Sequence, residues 1–341
     1  MINDARDDDV MKAIIFSAHE FDRASFANAN QHHGHQLSFV EPRLDPTTTA
    51  LARGYPTVIA FFNDRLDAET LETLKIAGTK LVALRCAGFN NIDLAAAGRL
   101  GLRVVHVPSY LPHCVAEHVF ALLLALLRHI PQAYNRVREN DFSVKGLTGS
   151  ELYGRTFAIV GTGHIGRAVA RIAHGFGCKL VGSDPHPPSA AETGLPITYL
   201  PLEEAAAQAD VISLHAPLTP ATFHLINAGL LARMKPGTIL INTGRGALID
   251  TMALVTALKE GRIGGVGLDV YEQEERVFYR DMSDNVLTDE VLARLLSLRN
   301  VLVTGHISFL TREALAQIAN VTLENLTAFD RGQPLVDEIK E

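Results

Sequence analysis

Short apolar runs alternate with helical patterns over the first hundred residues of the chain. The apolar runs are rich in β-branched residues and predict strands at 12–17, 35–40, 57–61, 80–86 and 103–108. The segments between them carry apolar residues at helical spacing and predict helices at 20–30, 47–53, 68–77 and 93–100. Strands that alternate with helices favour a parallel sheet, because parallel neighbours need a crossover connection.

A second alternating series follows a long apolar helix that is predicted over 115–135. Its strands are predicted at 156–160, 179–183, 211–215, 238–242, 265–270 and 301–304. Its helices are predicted at 165–174, 202–207, 228–234 and 249–260, with a final helix at 312–329. No stretch rich in proline or serine separates the two series. We therefore expect two closely apposed α/β domains with a cleft between them.

Length and charge narrow the class of protein. A chain of 341 residues is long enough for two domains, since single cores rarely grow beyond about 250–300 residues. The net charge of −7 argues against nucleic acid or an anionic membrane surface as the main partner. The longest aliphatic run, Val119–Leu127, is much shorter than the roughly 20 residues that a membrane-spanning helix needs. The start of the chain is acidic and polar, without the apolar core of a signal peptide.

Cysteines and histidines give no metal-ligand pattern. Cys86, Cys114 and Cys178 share no close spacing, which excludes a CxxC motif and fits a reducing compartment. Three histidines within 32–35 lie between a predicted helix and a predicted strand, and we interpret them as surface residues. We therefore expect no metal site, and we expect the cytoplasm as the compartment.

A glycine-rich turn follows the first strand of the second series. The residues from Gly161 to Gly166 are Gly-Thr-Gly-His-Ile-Gly and match the GxGxxG pattern. Gly161 permits a tight turn, Gly163 lets the backbone approach a pyrophosphate, and Gly166 lets the following helix pack closely. The N-terminus of that helix, predicted at Ile165 directly after His164, offers N–H groups that the helix leaves unpaired. The turn predicts a dinucleotide site; an ordinary glycine-rich turn and a methyltransferase loop are the alternatives at this point.

An acidic residue at the end of the next strand indicates which dinucleotide is bound. Asp184 stands 18 residues after Gly166, directly behind the predicted strand 179–183. A carboxylate there accepts hydrogen bonds from both hydroxyls of the adenosine ribose and repels a 2′-phosphate. The following residues, 185–187, include no arginine or lysine. The sequence therefore favours NAD over NADP.

Further strand ends carry candidate catalytic side chains. Arg245 follows the predicted strand 238–242 between two glycines, and its planar guanidinium suits a carboxylate and can polarise a carbonyl. Asp269 lies at the end of the next strand, where it can meet a nicotinamide ring, and Glu274 lies just beyond it. His306 follows the last predicted strand. Each residue taken alone would more often be an ordinary loop residue, but the ends of parallel strands meet at one edge of a sheet.

Six motifs in a fixed order connect the chain to a known family. They are RCAGFNNID at 85–93, VAEH at 115–118, GTGHIG at 161–166, NTGRG at 242–246, GLDVYE at 267–272 and TGH at 304–306. With these motifs the chain resembles the D-isomer-specific 2-hydroxyacid dehydrogenase family over nearly its whole length. The stretch 271–315 is most similar to the fermentative D-lactate dehydrogenases of bacteria. Cys86 and the segment 111–114 depart from the family pattern near the expected substrate side.

The resemblance assigns roles to residues of the site. It implies that Arg245, Glu274 and His306 are the catalytic arginine, glutamate and histidine of the family. It also implies that the backbone at Ala87 and Gly88 helps to hold the substrate carboxylate. The implied substrate-binding positions are Ala87, Gly88, Tyr110, Arg245 and Phe309. The implied cofactor-binding positions are Gly161, Gly163, His164, Ile165, Gly166, Asp184, His215, Pro217, Thr243 and Asp269.

The resemblance also implies a fold and a discontinuous domain layout. Residues 110–308 would form a Rossmann NAD-binding domain, and residues 1–109 with 309–341 a flavodoxin-like substrate domain, both of them doubly wound parallel sheets. Closure on the substrate would be a hinge motion near 108–110 and 306–309. The family usually dimerises through its NAD domain, so we expect a homodimer or homotetramer.

The reaction that the resemblance implies is the reduction of pyruvate to D-lactate by NADH. His306 as imidazolium would give a proton to the keto oxygen, and Arg245 would bind the carboxylate and stabilise the developing alkoxide. Glu274, bonded to the other ring nitrogen, would orient the ring and favour its charged form. Reductases of glyoxylate, hydroxypyruvate, phenylpyruvate or a branched 2-keto acid are alternatives within the family. An NADH-sensing scaffold that retains the site is an alternative of a different class.

Overall fold

Two parallel sheets carry the fold, which the computed structural model describes for residues 10–108 and 111–340. The first sheet consists of β1 (Lys12–Ile15), β2 (Gln36–Phe39), β3 (Thr57–Ala60), β4 (Leu81–Leu84) and β5 (Arg103–His106). Its strands lie in the order β2-β1-β3-β4-β5 and are all parallel. This is the strand order of a flavodoxin-like doubly wound sheet, as expected from the sequence.

The second sheet has seven parallel strands. They are β6 (Thr156–Val160), β7 (Lys179–Ser183), β8 (Ile197–Tyr199), β9 (Val211–Leu214), β10 (Thr238–Asn242), β11 (Ile263–Leu268) and β12 (Val301–Val303). Their order is β12-β11-β10-β9-β6-β7-β8, which is the Rossmann order with one more strand at the edge. The predicted fold class is therefore confirmed. The edge strand β8 is missing from the sequence prediction because its three residues are too few to display a periodicity.

Helices cover the connections between the strands. Those that belong with the first sheet are α1 (Glu20–Ala29), α2 (Ala68–Ile76), α3 (Leu94–Leu100) and α12 (Arg312–Asp330). Those that belong with the second are α4 (Pro112–Leu127), α5 (Ile130–Arg138), α6 (His164–Gly175), α7 (Ala190–Thr193), α8 (Leu202–Gln208), α9 (Ala228–Arg233), α10 (Thr251–Lys259) and α11 (Glu290–Leu296). Several begin after a polar residue whose side chain accepts a hydrogen bond from the first turn, as Asp67, Asp93 and Asp250 do. The predicted helix 47–53 is a short 3₁₀ helix, Thr49–Ala52.

The chain divides into two compact units. One comprises the described residues up to Leu111 together with those from Leu310 onward, and the other is Pro112–Phe309. The first unit contains the flavodoxin-like sheet and the second the Rossmann-like sheet. The assignment of substrate binding to the first unit stays a prediction.

Strand β6 shows how the second sheet is buried on both faces. Phe157 and Ile159 pack in one apolar core, whereas Ala158 and Val160 pack in the core on the opposite face. Alternate side chains of a strand point to opposite faces, so both faces of this strand are covered by helices. This is why the strand appears in the sequence as a continuous apolar run instead of an alternating one.

The predicted helix over 115–135 is wrong in one respect, since it is two helices. α4 ends at Leu127 and α5 begins at Ile130, with an angle of 63° between them. His129 between them has φ of 52°, a left-handed conformation that a continuing helix excludes, and Pro131 lies in the first turn of α5. In the described ranges no single helix is long and apolar enough to cross a membrane. Only the bent pair of α4 and α5 has the length and the apolar composition that such a span needs.

The interpretation of the histidines at 32–35 as surface residues is wrong for His35. Its side chain is buried, and its Nε2 lies 2.9 Å from the Thr327 hydroxyl of α12, which His33 Nδ1 also contacts at 2.9 Å. Burial lowers the pKa of both rings, so they are neutral near pH 7. The sequence could not show this because the covering helix is almost 300 residues away. No cluster of side chains that could hold a metal ion occurs within residues 10–108 and 111–340.

Candidate active site

The candidate site of the second unit lies at one edge of its sheet. Because all seven strands are parallel, the segments that follow them emerge at the same edge. The residues placed there in strand order are His306 after β12, Asp269 and Glu274 after β11, Thr243 and Arg245 after β10, His215 and Pro217 after β9, Gly161 to Gly166 after β6, and Asp184 after β7. Residues scattered over about half of the sequence are thus brought to one edge.

The glycine-rich turn has the shape that a phosphate-binding turn requires. Gly161 has φ of 88°, and a Cβ on it would lie 2.7 Å from the backbone of His215 and Ala216. A Cβ on Gly166 would lie 2.0 Å from the carbonyl oxygen of Gly161, so only glycine fits at either position. A Cβ on Gly163 would meet nothing within 4 Å, which leaves space before the first turn of α6. The N–H groups of that turn can therefore face an anion.

Asp184 is tied to the glycine-rich turn. Its Oδ2 accepts hydrogen bonds from the backbone N–H of Thr162 at 2.6 Å and from the Thr162 hydroxyl at 2.9 Å. Its Oδ1 accepts one from the His186 N–H at 2.9 Å. Partial burial alone would raise the pKa of Asp184, but the hydrogen bonds from Thr162 and His186 lower it below its ordinary value. The carboxylate is therefore ionised, and its predicted contact with a ribose stays a prediction.

Two residues at the sheet edge between the glycine-rich turn and Arg245, His215 and Thr243, show whether the site is compatible with a dinucleotide. The His215 ring contacts the Ser213 hydroxyl at 2.8 Å, and burial lowers the pKa of His215 to about 3, so the ring is neutral. The Thr243 hydroxyl is buried and has no hydrogen-bond partner among the residues that the structure describes. Buried hydroxyls normally find a partner, so this one suits a polar group of a bound ligand. Together with the open glycine-rich turn, these residues fit a dinucleotide.

The loop that carries Arg245 is fixed on both sides. The Asn242 amide donates to the Arg245 carbonyl at 2.9 Å, and its oxygen accepts from the Gly244 N–H at 3.0 Å. A Cβ on Gly246 would lie 2.1 Å from the backbone of Tyr271, so glycine allows this loop to touch the segment after β11. The Arg245 side chain is half-buried, and its Nη1 donates to the Gly244 carbonyl at 2.8 Å. The guanidinium is thus held at the edge, and no carboxylate of residues 10–108 and 111–340 forms an ion pair with it.

Glu274 and His306 form the central contact of the site. Glu274 Oε1 lies 2.8 Å from His306 Nδ1, and both side chains are largely buried, with 14% and 10% exposed. Glu274 Oε2 accepts a hydrogen bond from the Tyr271 N–H at 2.9 Å, which fixes the carboxylate relative to the end of β11. The Tyr279 hydroxyl donates to the His306 carbonyl. Sequence reasoning missed Tyr279, whose position in the long segment after β11 gave no signal.

The Asp269 carboxylate accepts hydrogen bonds from the turn that carries His306. The residue is fully buried, and its carboxylate accepts the N–H groups of Ile307 at 2.8 Å and Ser308 at 2.9 Å. The His306 N–H donates to the Asp269 carbonyl at 2.5 Å. Burial alone would raise the pKa of Asp269, but the neighbouring His118 at 3.4 Å and the hydrogen bond from the Thr304 hydroxyl, together with weaker effects, lower it well below its ordinary value. The predicted contact with a nicotinamide stays a prediction.

The predicted substrate residues lie in both units. Phe309, in the second unit, is buried and meets the His306 ring edge-on at a centroid distance of 6.4 Å. Ala87 and Gly88 follow β4 in the first unit and are half-buried. Tyr110 lies outside the described residues.

The turn at Ala87 and Gly88 presents backbone N–H groups. The Ala87 carbonyl accepts a hydrogen bond from His106 Nδ1 at 3.0 Å, and the Gly88 carbonyl accepts one from the Cys86 thiol at 3.2 Å. The N–H groups of Ala87 and Gly88 donate to no acceptor in residues 10–108 and 111–340. Two half-buried N–H groups without an internal acceptor are suited to an anionic oxygen. The departure at Cys86 thus supports this turn and does not disrupt it.

Comparison with known proteins agrees with this geometry. Residues 120–308 match the family model for the D-isomer specific 2-hydroxyacid dehydrogenase, NAD binding domain. The D-lactate dehydrogenase of Escherichia coli (strain K12) is 45% identical over 329 residues, which are 96% of this chain and 100% of that protein. A solved structure described as the pyruvate reductase of Chlamydomonas reinhardtii has a TM-score of 0.90 at 43% identity, over 96% of this chain and 99% of its own. The aromatic 2-oxoacid reductase of Clostridium sporogenes is 40% identical over 94% of this chain and 96% of its own length.

These likenesses extend over both units, although the family model matches the second unit only. They agree with the strand order of both sheets and with the chemistry of the residues at the edge of the second. The resemblance drawn from the six sequence motifs is therefore confirmed. The chain belongs to the D-isomer specific 2-hydroxyacid dehydrogenase family.

Proposed function

We propose that this chain is an NAD-dependent D-lactate dehydrogenase that reduces pyruvate to D-lactate. The observation that carries the proposal is the buried contact of 2.8 Å between Glu274 and His306, at the sheet edge that also carries Arg245. A histidine held against a carboxylate is suited to donate a proton, and a guanidinium at the same sheet edge is suited to bind a carboxylate. The identity of 45% to the D-lactate dehydrogenase of Escherichia coli supports the choice of substrate.

The proposed mechanism uses the three side chains in distinct roles. His306 delivers its proton from Nε2 to the keto oxygen, because Nδ1 faces Glu274. Arg245 binds the substrate carboxylate and stabilises the negative charge that develops on the keto oxygen. Glu274 holds the orientation of the His306 ring through its contact with Nδ1. NADH, when bound, supplies the hydride, and the glycine-rich turn, Asp184 and Thr243 are the positions that would hold it.

A panel of 2-keto acids tests the proposed reaction. We expect NADH-dependent reduction of pyruvate at a higher kcat/KM than glyoxylate, hydroxypyruvate, phenylpyruvate or a branched 2-keto acid, with NADH preferred over NADPH. Chiral analysis of the product should show the D-isomer. A preference for phenylpyruvate would move the assignment to the aromatic reductases, to which the chain is also similar. NADH binding without turnover of any keto acid would favour the sensing scaffold instead.

Glutamine in place of Glu274 should lower kcat for pyruvate reduction by about 10- to 100-fold, as the misplacement of a catalytic group does. The Glu274 carboxylate lies 2.8 Å from His306 Nδ1 and fixes the orientation of the ring, and a neutral amide makes a weaker hydrogen bond to that nitrogen. The measurement is kcat and KM for pyruvate at one fixed pH. Glu275→Gln, at the adjacent exposed carboxyl, is the control and should leave kcat unchanged; an unchanged kcat in E274Q would contradict the role.

We further propose that a second copy of the chain covers an exposed apolar segment of the second unit. Its members are large apolar side chains with 51–82% of their surface exposed, namely Ile130, Tyr134, Val137, Phe142 and Val144. So many exposed apolar groups within fifteen residues are typical of an interaction surface. Sedimentation velocity should show a dimer or larger assembly, and a monomer at micromolar concentration would refute the proposal. The expected cytoplasmic location stays a prediction.

A further inference from the structure

His118 belongs to a motif that the proposed mechanism does not use. It lies on α4, and its Nε2 is 3.0 Å from the Thr304 hydroxyl and 3.4 Å from Asp269 Oδ1. Its side chain is 18% exposed, and that of Asp269 is fully buried. His118 thus links α4 to Thr304, which lies two residues before His306.

The direction of the hydrogen bonds follows from the ionised state of Asp269. The carboxylate accepts, so the Thr304 hydroxyl must give its single hydrogen to Asp269 Oδ1, at 2.6 Å. The oxygen of that hydroxyl then accepts from His118, which must carry a hydrogen on Nε2. A chain of donors therefore runs from His118 through Thr304 to Asp269.

The turn that carries His306 depends on that carboxylate. Gly305 and His306 have successive φ values of 71° and 61°, a left-handed conformation that non-glycine residues adopt rarely. The Asp269 side chain binds the N–H groups of Ile307 and Ser308 directly behind them. A disfavoured backbone conformation persists only where its surroundings over-determine it. The orientation of the His306 ring is thus coupled to the orientation of one buried carboxylate.

We propose that His118 is a positioning residue that fixes Asp269 through Thr304 and thereby aims His306 at the substrate. The inference rests on the proposed role of His306 as proton donor. Three links carry it, namely the contact of His118 with Thr304, the bond from Thr304 to Asp269, and the bonds from the turn to Asp269. His118 itself touches neither the reacting atoms nor Glu274 in any contact described above.

Paired variants separate positioning from mere packing. His118→Leu removes the donor and should lower kcat by about 10- to 100-fold, as a misplaced catalytic group does. His118→Gln keeps an N–H donor at a similar reach and should stay within about threefold of the parent enzyme. Thr304→Val breaks the same chain, so the double variant with H118L should be no slower than the slower single one. The dissociation constant for NADH should change little, and His174→Leu, at an exposed histidine of α6, should leave kcat unchanged.

Nuclear magnetic resonance gives a readout that does not depend on turnover. The proton between His306 Nδ1 and Glu274 should give a downfield signal in the parent protein and in H118Q. In H118L we expect that signal to broaden or disappear while the melting temperature confirms a folded chain. An unchanged signal together with an unchanged kcat in H118L overturns the inference. If the parent protein reduces no keto acid, the proposed function is refuted. If the signal is nevertheless lost in H118L, the positioning role of His118 still stands.

Discussion

Glutamine in place of His306 lowers kcat for keto-acid reduction by about 10²- to 10⁴-fold, the usual contribution of a general acid. The reason is that glutamine cannot hold a transferable proton, although its size and polarity suit the same largely buried place between Glu274 and Phe309. The measurement is single-turnover reduction of pyruvate, which reports the chemical step without product release. The affinity for NADH, followed by its fluorescence, should be retained.

A second histidine–glutamate pair in the same unit provides the control. His224 Nε2 lies 2.7 Å from Glu272 Oε1, and the Thr251 hydroxyl donates to the other oxygen of that carboxylate at 2.9 Å. This pair joins the loop after β9 to the segment after β11, and neither of its side chains has a role in the proposed chemistry. His224→Gln should therefore affect melting temperature more than kcat. Equal losses of kcat in the two variants would indicate general damage to the fold and would remove His306 from the role of acid.

The sheets and their functional edge could be predicted because they depend on local properties. Parallel strands are buried on both faces, so their continuous apolar runs stand out in the sequence, as 156–160 does. Once the strands are placed, their parallel direction brings the segments after them to one edge. Gly161 and Gly166 predicted the turn after β6, because close backbone contacts exclude any side chain at these two positions. Arg245 and His306 were found by the same logic of strand ends.

Features that depend on distant partners could not be predicted from the sequence. The apolar spacing of α4 and α5 runs across their junction, so the periodicity did not mark the left-handed conformation of His129, and Pro131 was the one local signal of a break. The burial of His35 requires α12, which the chain reaches only at its end. The contact between His118 and Thr304 joins residues 186 positions apart. Each of these features arises from packing between elements, which local patterning does not encode.

Glu274 lies between these two cases. Its neighbours in sequence are mostly polar or charged, and only the family resemblance separated it from them. The structure adds the physical reason, since the Tyr271 N–H and His306 bind its two oxygens and hold it away from solvent. The close approach of Gly246 to Tyr271 then couples the Arg245 loop to the same segment. The local geometry therefore links the proposed carboxylate-binding and proton-donating groups through one stretch of backbone.

Glutamine in place of Arg245 should raise KM for pyruvate by about 100-fold, because losing one partner of a desolvated charge pair costs about 2–5 kcal/mol and about 1.4 kcal/mol is tenfold. Lysine keeps the charge but loses the two-pronged geometry, so Arg245→Lys should raise KM less and retain part of kcat. Initial rates against pyruvate and binding of oxamate, an unreactive analogue, measure the two effects. Arg262→Gln, at an exposed arginine paired with Glu260, is the matched control and should change neither. An unchanged KM and oxamate affinity in Arg245→Gln would exclude Arg245 from binding the carboxylate, whatever happens to kcat.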